Sequence, residues 1–145
     1  MAMGFYLLLN ILFTFNQNNA AADVLKVQAK GKNGSYSFSV TISSPDQGCK
    51  QYADWWEVIS DNGDLIYRRV LLHSHVKEQP FTRSGGPIKI KAEQNVWIRA
   101  HMNNSGYGGK ALYGSVKNGF NSKKILEGFG DNLDTKAPLP TGCSY

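Results

Sequence analysis

The chain has 145 residues, enough for one domain and too few for two ordinary ones. A formal charge of +5 comes from 16 Lys and Arg against 11 Asp and Glu. The basic side chains are scattered, with Arg68-Arg69 and Lys123-Lys124 the adjacent pairs, which argues for a solubilising surface and against a nucleic-acid-binding patch.

Residues 1–22 hold an apolar run over 5–15 broken by one Asn, then a polar stretch closing on Ala20-Ala21-Ala22. That is an A-x-A cleavage pattern ahead of Asp23, although the segment lacks the Lys or Arg that commonly opens a leader. It predicts a secretory signal peptide over 1–22 and a single mature domain over 23–145, in the secreted or periplasmic compartment. The run is about half the ~20 residues that a transmembrane helix needs, and no Cys lies near the cleavage pattern to accept a lipid. No stable membrane anchor is expected. The two cysteines, Cys49 and Cys143, are an even count in an exported chain and predict a disulfide. Such a bridge would tie the Gly/Pro-rich tail, residues 135–143, back onto the body, a closure worth roughly 4–5 kcal/mol before strain.

From Asp23 onward the apolar pattern has period two. Residues 24–30 alternate weakly, and Gly31-Lys-Asn-Gly34 reads as a turn. In 36–42, Tyr36, Phe38, Val40 and Ile42 alternate strictly with Ser and Thr, a strand with one buried and one wet face. Residues 53–60 and 65–76 flank Asp61-Asn-Gly-Asp64, and Asn-Gly supplies the positive φ of a tight hairpin turn. The second of these strands would carry Arg69, His73 and His75 on one face. Residues 77–87 read as a loop leaving through Gly85-Gly86-Pro87. Strands are expected over 88–92, 96–102 and 111–116, with the flexible loop 103–109 between the last two. In 96–102, Trp97, Arg99 and His101 oppose Val96, Ile98, Ala100 and Met102. Residues 122–128 suggest a helical turn.

About seven short strands with turns between them and almost no helix describe an all-β chain, an antiparallel β-sandwich. In strand number, spacing and a Trp near a Cys, the layout resembles an immunoglobulin or fibronectin type III domain, although the two Cys lie far apart and the second sits in the tail.

Two constellations could carry function. His73-x-His75 on one strand would project two imidazoles from one face about 7 Å apart, and His101 from another strand would complete a three-histidine set for one zinc or copper ion. The bland alternative is a solvated strand end. The aromatics Trp55, Trp56, Trp97 and Tyr107, with Arg69 to bond hydroxyls, could form a platform for sugar rings; the bland alternative is one core Trp and one covered by a loop. Catalytic signatures are thin. No G-x-S-x-G elbow occurs, and Asp54 and Glu57, three apart on a strand, would face opposite ways, a poor acid/base pair. The residues favour a binding or interaction module without catalysis or cofactor, its partner an extracellular or periplasmic polysaccharide or protein. The alternative is a metalloprotein of redox or hydrolytic type.

Overall fold

The computed structural model describes residues 20–145, so the leader expected over 1–22 lies outside the described residues except for Ala20–Ala22. Eight strands follow one another: β1 (Asp23–Lys32), β2 (Ser35–Ser43), β3 (Ala53–Ser60), β4 (Leu65–Val70), β5 (Phe81–Ile88), β6 (Val96–Met102), β7 (Leu112–Ser115) and β8 (Gly119–Ser122). They form two antiparallel sheets, of order β1-β2-β5 and β4-β3-β6-β7-β8. This is an antiparallel β-sandwich.

Between the sheets lies one core. Tyr36, Phe38, Val40 and Ile42 of β2 are all buried, as their strict alternation predicts. They meet Trp56 and Val58 of β3 and Val96, Ile98, Ala100 and Met102 of β6. The hairpin over 61–64 joins β3 to β4 as expected.

Three expectations change. Residues 77–87 are no simple loop, because β5 begins at Phe81 and pairs with β2, and it ends at Ile88, so the strand expected over 88–92 lies upstream of its expected place. Hydroxyls matched across the exposed face hold that register, Thr41 Oγ1 to Thr82 Oγ1 at 2.8 Å and Ser39 Oγ to Ser84 Oγ at 2.7 Å. Gly85 inside this strand is no breaker; a Cβ there would lie 2.6 Å from Tyr67 Oη and 3.0 Å from the Trp56 ring, so glycine permits the close approach of the other sheet. Second, β4 stops at Val70. Leu71 N donates to Asp54 O, and residues 71–80 run irregularly, so His73 and His75 do not share a strand face. Third, residues 122–128 form no helix: β8 ends at Ser122, and the only helical element among the described residues is a 3-10 turn at Asp131–Thr135.

Both faces of β6 are buried. The face turned away from the core carries Trp97, Arg99 and His101; residues 123–145 cover Trp97 and Arg99, and Tyr107 covers His101. Leu133 from this C-terminal strap packs with Ile59, Trp97 and Ala111 in a second apolar cluster, flanked by Ile125 and Phe129. The strap ends in the predicted disulfide, Cys49–Cys143, with Cα atoms 5.7 Å apart, beside a parallel bridge between Ser144 and His73. The molecule thus has three layers: a small sheet, a large sheet and a strap.

Candidate functional site

The site grows from the register of three strands. Glu57 of β3 pairs with Arg68 on β4 and with Arg99 on β6, so alternation sends one carboxylate and two guanidiniums to the same outer face. Glu57 is fully buried, and its Oε2 accepts from Arg68 Nε at 2.8 Å and Nη2 at 2.6 Å while Oε1 accepts from Arg99 Nε at 2.9 Å. One carboxylate serves two cations, so the cluster keeps an excess positive charge. The strap answers with carbonyl dipoles. Arg68 donates to Leu133 O at 2.6 Å, to Pro138 O at 3.0 Å and to Lys136 O. Arg99 donates to Phe129 O at 3.1 Å and to Gly130 O at 2.7 Å.

Beside the triad stands a stack of flat groups. The Arg68 guanidinium lies 4.1 Å over the Trp55 ring, and Trp55 stacks on His101 at 3.7 Å with the planes 4° apart. A bulge between Ala53 and Trp55 turns Asp54 toward the same side, and His101 Nδ1 donates to Asp54 Oδ1 at 2.6 Å. Asp54 therefore reaches the face that Glu57 occupies, contrary to simple alternation. Tyr107 closes the stack, its ring 4.8 Å from His101 and 3.4 Å from the Arg99 guanidinium. Burial, and then the nearby Glu57 carboxylate, push the Tyr107 phenol well above its ordinary range. This keeps Tyr107 neutral.

A cleft of about 490 Å³ opens beside Tyr107 and over the buried Arg99, walled by residues 107–111 on one side and 122–128 with Asp131 on the other. Lys123 N donates to Ala111 O at 3.2 Å and joins the walls. The Lys123 ammonium sits 4.2 Å over Tyr113 and 5.3 Å over Trp97. A second hollow of about 760 Å³ lies by the disulfide, lined by Gln47, His73, His75, Glu78, Arg83 and Tyr145.

The structure separates the three histidines. His101 is committed to Asp54. His73 Nδ1 meets Ser144 Oγ at 2.8 Å, and His75 stacks on Phe81 at 3.8 Å with Nε2 2.8 Å from Arg83 Nη2. Among the described residues no three His, Cys, Asp or Glu side chains gather where they could hold a metal ion. The zinc or copper set assumed His73 and His75 on one strand face, and that strand ends before them.

The aromatic platform also disperses. Trp56 belongs to the sandwich core and Trp55 is sealed under Arg68 and His101, so neither offers a ring to solvent. Arg69, on the inner side of β4, donates to Ser84 O at 2.9 Å and ties the two sheets at their open edge. Trp97 lies behind Lys123, and Tyr107 alone of these residues lines the cleft. Lys110, Lys123, Lys124, Glu127 and Asp131, which frame the cleft, carry no sequence signal beyond the Lys123-Lys124 pair. Glu57 carries one: a carboxylate inside the apolar run Trp55-Trp56-Glu57-Val58-Ile59 is out of place unless it is paired.

Over 99 residues, or 68% of this chain, the sequence is 38% identical to a protein of Halomicrobium mukohataei named "Putative lipoprotein". The match takes in 49% of that relative, so the chain spans about half the length of the curated protein it matches. No family model matches the chain, and no solved structure matches it.

Proposed function

We propose that the protein is an exported binding module of the secreted or periplasmic space, a β-sandwich that presents the cleft between residues 107–111 and 122–131 to a partner. The observation that carries the compartment is the Cys49–Cys143 bridge, since such bonds form and persist in oxidising surroundings. The lipoprotein name of the Halomicrobium mukohataei relative and the A-x-A pattern before Asp23 support the same reading. Binding is supported by the cleft, whose volume lies within the roughly 300–1,000 Å³ of small-molecule sites. Its charged groups stand on a sandwich braced by a buried ion triad, a rigid frame for recognition.

Cell fractionation with intact-mass measurement tests this directly. The protein should be recovered outside the cytoplasm, cleaved at or near Ala22, with no thiol titratable before reduction. Recovery from the cytoplasm with two free thiols would refute export.

A further inference from the structure

We infer that the cleft takes an acidic saccharide, a sugar carrying carboxylate or sulfate groups. The inference rests on the binding-module reading and adds a ligand class to it. Charge comes first. Lys110, Lys123 and Lys124 line the cleft, and none of them forms an ion pair among the described residues. Beneath them lies the Arg68–Glu57–Arg99 cluster, two buried cations on one carboxylate. A guanidinium has five N–H donors, and Arg99 directs one to Glu57, one to Phe129 O and one to Gly130 O. Arg99 lines the cleft while only 3% exposed. Every Arg99 nitrogen thus has a partner, while Tyr107 Oη at the same wall is buried with none, an arrangement that is unfavourable until a ligand group meets it. An anionic group in the cleft would answer both the unpaired lysines and the excess charge below.

A bare anion does not match the whole lining. Glu127 and Asp131 share the cleft with the lysines, and these carboxylates would repel a simple anion. They would accept hydrogen bonds from hydroxyls. Cationic donors set against carboxylate acceptors suit a ligand that is both anionic and polyhydroxylated. Lys123 also supplies an optical reporter, because its ammonium rests over Trp97 and Tyr113 and a ligand that draws it away removes a cation from the indole face.

The test titrates the purified exported protein with trigalacturonate, a sulfated heparin disaccharide, maltotriose and inorganic sulfate, at matched ionic strength, following tryptophan emission and heat. At least one acidic saccharide should bind and weaken as salt rises, while maltotriose and sulfate bind at least tenfold more weakly. Lys123→Gln/Lys124→Gln should reduce the affinity at least tenfold. Lys30→Gln/Lys32→Gln, the same charge loss at the far end of β1, should change it less than twofold. Binding of neither acidic saccharide, equal binding of maltotriose or sulfate, or equal losses in the two double variants would each overturn the inference. The compartment reading would stand in all of these cases, since fractionation tests it separately.

Discussion

Glu57 lies at directly paired positions between Arg68 and Arg99, and it is the sole carboxylate that either guanidinium meets among the described residues. Glu57→Gln keeps the shape and removes the charge, leaving two buried cations unmatched. The expected loss is about 3–5 kcal/mol of folding stability, read from urea denaturation, since breaking a buried ion cluster on one side leaves uncompensated charge. His75 makes a prediction of opposite kind. Its pKa is lowered, first by burial and then by Arg83, against the pull of Asp46 and Glu78 and with a small push from His73. A lowered imidazole pKa means that the folded state prefers neutral His75. The stabilisation is complete above the ordinary value of about 6.5 and is lost as pH falls below it toward the folded-state value. Melting temperature should therefore decline across that acid window, and His75→Gln should flatten the decline; an equal slope in the variant would dismiss His75 as its source. In the sequence Glu57 is weighed only against Asp54, and its place in the apolar run Trp55–Ile59 is passed over. Its partners were not legible at all, because Arg68 and Arg99 reach it through strand register that no local pattern encodes.

At the scale of elements, legibility tracked how locally each strand is determined. Four alternating pairs made β2 readable from its own residues. β5 was obscured by Gly85, Gly86 and Pro87, whose turn character yields to pairing with β2 and to the approach of Tyr67. The strap was legible only at its end, where the Cys49–Cys143 pair ties residues 135–143 back, and its course over the sheet was not. Its order comes almost wholly from what it covers: Leu133 in the second apolar cluster, five backbone carbonyls on two arginines, and one disulfide. Leu133→Ala should lower stability by about 2–5 kcal/mol through the cavity it leaves. Cys143→Ser should lower it by a similar 2–5 kcal/mol, through the freed chain end. Calorimetric melts of the two variants would check both. Losses below about 1 kcal/mol in each would mean that the strap is dispensable trim and that the large sheet stands without it.

For the whole molecule, the segment Ala20–Ala22 ahead of β1 is the informative place. Ala22 is buried, Ser105 Oγ donates to Ala20 O, and a Cβ on Gly109 would run into the Ala22 carbonyl. Gly109→Ala should therefore lower the melting temperature of a chain that retains Ala20–Ala22 more than that of a chain beginning at Asp23, where the Asp23 carboxylate, 3.0 Å from the added Cβ, is the remaining contact. Equal shifts would show that Gly109 is needed for its own loop. The sandwich class was legible because period-two alternation recurs along the chain; the third layer was not, because residues 123–145 show no periodicity of their own. That layer also imposes an order on biosynthesis. Arg68 and Arg99 leave a ribosome well before Phe129, Gly130, Leu133, Lys136 and Pro138, so a nascent chain can pair both cations with Glu57 but holds none of the strap carbonyls that receive their other N–H bonds. The outer face can close only after the last dozen or so residues emerge, and the bridge to Cys49 only then can form. That outer face therefore stays open until synthesis is nearly complete, and the strap is the last part of the molecule to find its place.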